Sequence, residues 1–126
     1  MKFMNPHITF GGNAREALAF YQALFGGESE VVLVGDRDGI DLPKDAIFHA
    51  DLNGGDFRLM VADGPSTDLG RIALHILCED RDEIDRYHKA LAEGGSVHCD
   101  LGPAFGGLFS MVTDRFGVSW FLTLPA

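Results

Sequence analysis

Cysteine is scarce in this chain of 126 residues, which has only Cys78 and Cys99. The two have no C-x-x-C spacing, and this argues against a zinc ribbon, a thioredoxin-type motif and a disulfide scaffold. A free cysteine is usually a small buried hydrophobic residue. We therefore expect both thiols to be buried and to have no chemical role.

Positive charge and long apolar runs are also scarce. The chain has 10 Lys and Arg against 19 Asp and Glu, a formal net charge of −9 and a pI near 4.7. Nucleic acids and anionic membrane surfaces need clustered basic residues, so neither is an expected partner. No apolar run approaches the roughly 20 residues that span a bilayer, and no signal-peptide core follows Met1. We expect an acidic cytoplasmic protein with one compact domain over residues 1–126.

The first half of the sequence predicts a strand, a helix and three further strands. The stretch HITF (7–10) is a short strand, and the helix after it begins at Asn13 with Glu16 as its capping-box partner. Apolar residues at i, i+3, i+4 and i+7 make this helix amphipathic, and Gly26-Gly27 end it. The later strands are predicted over 29–35 and on both sides of the turn at 53–55.

The second half repeats that order. A strand over 71–79 leads to a helix capped by Asp80 with Glu83, and three strands follow over 96–101, 108–114 and 118–124. The predicted fold class is therefore α+β, with two βαβββ modules over about 3–63 and about 70–126. Neither half is long enough to bury a core alone, so we expect the two to pack into one domain.

Three histidines are the main candidates for chemistry. His7, His49 and His75 fall in separate predicted strands between apolar neighbours. Neighbouring strands lie only about 4.8 Å apart, so a sheet can direct such side chains onto one metal ion. Asp51 shares a face with His49 because side chains alternate along a strand. The competing interpretation is that each of these histidines is half-buried and hydrogen-bonded to the backbone. His88 and His98 have no comparable arrangement, and we expect them to be structural or surface residues.

Motifs for other chemistries are missing. The sequence has no G-x-S-x-G nucleophile elbow and no glycine-rich strand-to-helix motif for a nucleotide-type cofactor. Nucleophilic catalysis and such cofactors are therefore disfavoured.

Three stretches together indicate a family: FGGNAREALAFYQALFGGE (10–28), HADL (49–52) and VTDRFGVSW (112–120). With them the sequence resembles the vicinal oxygen chelate (VOC) superfamily, the fold of glyoxalase I and of fosfomycin- and bleomycin-resistance proteins. Within it the sequence is most similar to PhnB-like proteins. The resemblance implies curved mixed sheets that form a cup, and a homodimer.

The resemblance also implies one divalent metal ion (Zn, Ni, Mn or Fe), held by His and Glu from both modules. His49 corresponds to the mid-chain ligand, and the first-strand ligand falls on Pro6 or His7. Where relatives often begin the second module with a histidine, this chain has Arg71, with His75 four residues later.

The last ligand of the family, usually a Glu, falls on Phe121, which cannot coordinate a cation. The implied site is therefore a three-ligand set of His7, His49 and His75.

Two functions follow from the resemblance. One is a metal-dependent lyase, isomerase or transferase acting on a small oxygen-rich metabolite. The other is a metal-free binding or drug-sequestering protein, in which Phe10, Phe105 and Phe121 supply apolar walls and His49 and Asp51 are polar anchors. Both require a small-molecule ligand, and a purely structural dimerisation module is the third alternative.

Overall fold

The computed structural model describes residues 5–64, 72–104 and 106–126. The chain divides into two compact units, Met1–Thr67 and Asp68–Ala126. Each unit holds a four-stranded mixed sheet and one helix. The predicted fold class of two βαβββ modules is confirmed.

The elements agree with the predicted order and differ from it mainly at their ends. In chain order they are β1 (His7–Phe10), α1 (Ala14–Phe25), β2 (Glu28–Leu33), β3 (Ile47–Asn53), β4 (Arg58–Asp63), β5 (Ala73–Leu77), α2 (Arg81–Ala92), β6 (Ser96–Ala104), β7 (Gly107–Thr113) and β8 (Ser119–Pro125). Neither helix among the described residues is long and apolar enough to cross a membrane.

The first sheet has the strand order β1-β4-β3-β2, with β1 parallel to β4 and the other pairs antiparallel. Side chains alternate across it: Ile8 and Phe10 of β1 are buried, whereas His7 is exposed. Helix α1 contacts β3 and β4 and buries its apolar stripe against that side of the sheet. The opposite side, here called the open face, carries exposed and half-buried side chains: His7, Thr9, His49, Asp51, Arg58 and Met60.

The start of α1 differs from the prediction. Asn13 occupies the N-cap position, but its side chain makes no capping hydrogen bond. Instead the buried Asp63 accepts from the Ala14 N–H and, through its other oxygen, from the Ile47 N–H, each at 2.9 Å. The predicted capping box of Asn13 with Glu16 was therefore wrong, because a carboxylate 49 residues away satisfies the helix terminus.

The predicted end of α1 is confirmed. Gly26 takes a positive φ of 80°, and its N–H donates to the Gln22 carbonyl. At Gly27 the fold needs the missing side chain, since a Cβ there would lie 2.7 Å from the Asn53 carbonyl oxygen. These two glycines turn the chain from the helix into β2, which pairs with β3.

The second sheet has the order β5-β8-β7-β6, with β5 parallel to β8. Its helix α2 is capped as predicted, because Asp80 accepts from the Glu83 N–H at 2.8 Å. Glu83 in turn accepts from the N–H of Glu79, one residue before the cap. Ile84, Tyr87 and Leu91 form the buried stripe of the helix.

A second buried aspartate, Asp114, organises the turn into β8. Its Oδ1 accepts from the N–H groups of Phe116 and Val118, and its Oδ2 accepts from the Trp120 indole at 2.8 Å. The T-D-x-F-G-x-x-W stretch that carried the family resemblance is therefore a structural device: one carboxylate fixes the turn and the orientation of the tryptophan.

The two cysteines have different environments. Cys78 is buried, as predicted, but Cys99 is exposed. Cys99 lies on β6, an edge strand whose pairing with β7 shifts register on both sides of it. The prediction that both thiols are buried was wrong for Cys99, because composition does not reveal which strands lie at sheet edges.

Candidate functional site

The open face of the first sheet brings three predicted site residues together. His7 of β1 lies directly opposite Met60 of β4, and Met60 lies opposite Asp51 of β3. His49 precedes Asp51 by two residues and so points to the same side. Of the two candidates for the first-strand position, Pro6 and His7, the structure therefore places His7 on the face of His49.

The rings of His7 and His49 approach each other across β4. Their centroids are 6.0 Å apart and their planes differ by 14°. Strands β1 and β3 are separated by two strand spacings, about 9.6 Å, so the two side chains lean towards one another. No hydrogen bond joins either ring to another residue in the described part of the chain.

The other three histidines have hydroxyl partners. His75 Nε2 lies 2.8 Å from Thr123 Oγ1, and His98 Nε2 lies 2.7 Å from Thr113 Oγ1. His88 contacts the buried Ser110 hydroxyl through Nδ1 and Asp100 through Nε2. His88 and His98 therefore make side-chain contacts, whereas His7 and His49 have no hydrogen-bond partner among the described residues.

Asp51 is only partly satisfied by its neighbours. Its Oδ2 lies 3.2 Å from a guanidinium nitrogen of Arg58. Its Oδ1 is buried and has no hydrogen-bond partner among the described residues. A buried acceptor left unpaired costs about 1–3 kcal/mol, so a donor from a bound molecule would recover that free energy.

A cavity of about 490 Å³ opens beside this carboxylate. That volume lies within the range of small-molecule sites. The lining is polar and carries three carboxylates against one guanidinium: Gln22, Glu28, Ser29, Glu30, Asp51, Asn53 and Arg58. The electrostatic potential in the cavity therefore favours a neutral or cationic occupant over an anion.

The second unit has a different, aromatic arrangement. His75 of β5 lies opposite Phe121 of β8 and meets its ring edge-on, with centroids 5.5 Å apart. Phe121 in turn packs edge-on against Phe109 at 4.6 Å. Each unit thus sets a first-strand histidine opposite an apolar residue of its last strand, His7 opposite Met60 and His75 opposite Phe121.

Phe10, one of the predicted pocket phenylalanines, does not line the open face. Phe10 is 2% exposed and lies on the helix side of β1, opposite in direction to His7. Phe10 is a core residue, because successive side chains of β1 point to opposite sides of the sheet: His7 is exposed, whereas Ile8 and Phe10 are buried. Phe105, the other apolar wall expected from the sequence, lies outside the described residues.

The predicted metal ligands belong to both units, His7 and His49 to the first and His75 to the second. In the described ranges no three or more His, Cys, Asp and Glu side chains form a group that could hold a metal ion. The first unit by itself supplies two imidazoles, with the thioether of Met60 on the strand between them. The three-histidine site stays a prediction.

Arg58 and Met60 were missed by the sequence interpretation. Both follow from the hairpin that joins β3 and β4, where Asn53 pairs with Arg58 and Asp51 with Met60. The Asn-Gly-Gly turn predicted the hairpin but not this register, which depends on how many residues the loop holds.

Two four-stranded mixed sheets, each with one helix in βαβββ order, give this chain the fold of the VOC superfamily. The fosfomycin resistance protein FosX from Mesorhizobium loti shares this fold with a TM-score of 0.63 at 13% identity, covering 100% of this chain and 94% of that chain.

Residues 2–123 match the family model described as 3-demethylubiquinone-9 3-methyltransferase, and the chain belongs to this PhnB-like family.

Three relatives span nearly the whole chain. Protein PA1353 from Pseudomonas aeruginosa is 37% identical, with a TM-score of 0.91 over 99% of this chain and 98% of that chain. A putative 3-demethylubiquinone-9 3-methyltransferase, PhnB protein, from Bacillus cereus is 29% identical, with a TM-score of 0.81 over 98% and 99%. Protein YjdN from Escherichia coli K12 is 25% identical over 96% of this chain and 94% of its own length.

Proposed function

We propose that this protein binds a small molecule bearing a hydroxyl or ammonium group on the open face of its first sheet. The observation that carries the proposal is Asp51, which lines the cavity and whose buried Oδ1 lacks a hydrogen-bond partner among the described residues. A hydroxyl or ammonium group of the ligand would donate the missing hydrogen bond to this oxygen. Asp51 is therefore the first polar anchor and His49, on the same face, the second.

The neighbours of Asp51 define the preferred ligand further. Arg58 holds Oδ2 and so fixes the carboxylate, leaving Oδ1 to the ligand. Glu28 and Glu30 add two carboxylates to the lining, which disfavours an anionic group close to them. We infer a ligand with several donors and no net negative charge at this end.

A thermal-shift screen of amines, polyols and hydroxy acids tests the proposal. A ligand at a hundred times its Kd stabilises the folded state by about 2.7 kcal/mol, so a true ligand raises Tm by several degrees. Asp51→Asn should abolish the shift, because the amide can present a donor where the ligand needs an acceptor. The matched control is Asp56→Asn, an exposed carboxylate after the same hairpin turn, which should retain the shift.

Two results would overturn this proposal. One is a screen in which no compound shifts the wild type. The other is a compound whose shift is equal in the wild type and in Asp51→Asn.

A metal-dependent enzyme acting on a small oxygen-rich metabolite is the second candidate. It is favoured by the approach of His7 and His49, whose centroids are 6.0 Å apart. In this proposal His75 of the second unit is the third ligand. A bound divalent ion (Zn, Ni, Mn or Fe) would supply Lewis-acid chemistry at substrate oxygens. The residues of this chain would hold the ion and leave it an open position, since Phe121 carries no donor atom.

Metal analysis of protein purified without added metal or chelator tests this candidate, alongside His49→Ala. We expect about one ion per chain in the wild type and loss of the ion in the variant. A wild type that is metal-free and takes up none of the four ions on titration would contradict it.

The assembly expected from the resemblance belongs to the same proposal. We propose a cytoplasmic homodimer, and light scattering coupled to size exclusion measures its mass directly. A single mass equal to one chain of 13.7 kDa at all concentrations would exclude the dimer.

A further inference from the structure

We infer that two copies of this chain associate through the outer edge of β2, by antiparallel pairing of β2 with the same strand of the second copy. The inference rests on the homodimer proposed above and goes beyond it, because it names the surface of contact and the register of the pairing. It does not depend on the identity of the small-molecule ligand.

The first argument is that β2 is an edge strand with exposed apolar side chains. It is the last strand in the order β1-β4-β3-β2, and no strand pairs with its outer edge in the part of the chain that the structure describes. Val31, Val32 and Leu33 are 41%, 42% and 40% exposed. An apolar edge with free N–H and C=O groups is a template for pairing with another strand.

The second argument is that the other three sheet edges carry protection that β2 lacks. Strands β1 and β5 have only four and five residues, and β6 contains Pro103 and shifts register on both sides of Cys99. Short strands, bulges and proline all hinder edge-to-edge pairing. Strand β2 has six residues, ESEVVL, without proline or lysine, and the extra residue in its pairing with β3 is Phe48 of β3. The edge of β2 is therefore the one best suited to a partner strand.

The third argument is that symmetry restricts the register. Directly opposite residues of two strands point to the same side of the sheet, and a two-fold axis normal to the sheet keeps that side the same in both copies. One residue must therefore lie opposite itself. With Val31 at the axis, Glu30 lies opposite Val32 of the second copy and Ser29 lies opposite its Leu33, so the ladder spans 29–33.

The neighbouring registers are less favourable. With Glu30 at the axis, the two Glu30 carboxylates would lie directly opposite one another, and like charges in that position destabilise a pair of strands. With Val32 at the axis, only residues 31–33 of β2 would remain in the ladder. The Leu33 carbonyl already accepts from Arg37 at 2.8 Å, so we expect the ladder to extend no further. The charge pattern of β2 thus complements itself only about Val31.

The pairing also reaches the proposed ligand site. Glu30 lines the cavity beside Asp51, which lies opposite it on β3. In the register about Val31, Val32 of the second copy lies opposite Glu30 on the same side of the extended sheet. The second copy therefore adds an apolar side chain next to a polar cavity wall.

The first experiment is disulfide cross-linking in a parent protein that carries Cys99→Ser, because Cys99 is an exposed thiol. Val31→Cys places two thiols opposite one another, with Cα atoms about 4.5–5.5 Å apart, which suits a disulfide. Val32→Cys tests the register, since its two thiols would be diagonal neighbours about 7–8 Å apart. Val97→Cys is the matched control, because Val97 is a 47% exposed valine of the other edge strand β6.

We expect diamide to convert Val31→Cys to a covalent dimer on a non-reducing gel, and to leave Val32→Cys and Val97→Cys monomeric. Sedimentation velocity at about 0.15 M ionic strength, where the Debye length is about 8 Å, then measures dimerisation without a cross-link. Val31→Lys sets two ammonium groups opposite one another, so the dimer Kd should rise by about tenfold or more. Val97→Lys should leave the Kd unchanged. Circular dichroism spectra confirm that each variant is folded.

The outcomes separate this inference from the homodimer on which it rests. A wild type that stays at 13.7 kDa at every concentration overturns both. A dimer whose Kd is the same in Val31→Lys overturns the inference alone, since the copies then meet through another surface. Cross-linking of Val97→Cys or Val32→Cys as readily as Val31→Cys would likewise exclude the pairing described here.

Discussion

Asp63 should matter far more to the stability of the first unit than the residue at the N-cap of its helix. The carboxylate accepts from the Ala14 N–H and the Ile47 N–H, both at 2.9 Å, and is 9% exposed. It thereby joins the start of α1 to the start of β3. Asn13, by contrast, makes no side-chain capping bond.

The expected magnitudes follow from these contacts. A hydrogen bond to a charged group contributes about 1.5–3 kcal/mol, and a buried donor left unpaired costs about 1–3 kcal/mol. Asp63→Asn retains one acceptor oxygen but turns an NH₂ group towards the second N–H, so we expect a loss of about 2–4 kcal/mol. Asn13→Ala should cost less than about 0.5 kcal/mol, although an N-cap substitution typically costs about 1 kcal/mol.

Urea denaturation followed by far-ultraviolet circular dichroism measures both variants. The slope m is typically about 1–3 kcal/mol/M, so a loss of 3 kcal/mol moves the midpoint down by about 1–3 M. The Asn13→Ala midpoint should remain within experimental error of the wild type. A larger loss in Asn13→Ala than in Asp63→Asn, at unchanged m, would refute the assignment of the cap to Asp63.

Three further predictions concern the second unit. Asp114→Asn should weaken the hydrogen bond that the Trp120 indole donates to Asp114 Oδ2 at 2.8 Å. The fluorescence emission of this single tryptophan should therefore shift, and the urea midpoint should fall. An unchanged emission spectrum would contradict the assignment. Burial, with Glu83 and Asp80 nearby, raises the pKa of Cys78 from 9.0 to about 11, so iodoacetamide at pH 8 should alkylate only Cys99, as judged by intact mass. The pKa of Cys78 is higher in the folded state than in the unfolded state, so its neutral thiol contributes fully to the free energy of unfolding below about pH 9. That contribution should be lost between about pH 9 and 11 in the wild type, whereas Cys78→Ala should show no such loss.

The sequence was sufficient for the order of the elements and for the shared face of His49 and Asp51. Apolar residues at helical spacing predicted both helices, and the glycine pairs predicted where they end. These signals are local, because a helix or strand of a few residues carries its own periodicity. The cap of α2 was predictable for the same reason, since Asp80 and Glu83 are three residues apart.

Contacts between distant residues could not be read in this way. Asp63 lies 49 residues from the N–H that it caps, so the pattern around Asn13 gave a plausible but incorrect answer. Phe10 was expected to supply an apolar wall of the pocket. The alternation of β1 instead places it in the core, where it is 2% exposed.

The open face shows how much depends on a single register. A one-residue shift of β1 would turn His7 to the helix side and bring Pro6 or Ile8 to the side of His49. The observed pairing sets His7 against Met60 and Met60 against Asp51, so imidazole, thioether and carboxylate share one row. Two chemistries thus share this face: a carboxylate with an unpartnered oxygen, and a pair of imidazoles without hydrogen-bond partners among the described residues. Asp51→Asn changes the first and leaves the imidazoles in place, whereas His7→Ala does the reverse. If small-molecule binding responds only to Asp51→Asn and the content of divalent metal only to His7→Ala, the two proposed sites are independent. If each variant impairs both, the ion and the molecule occupy one site.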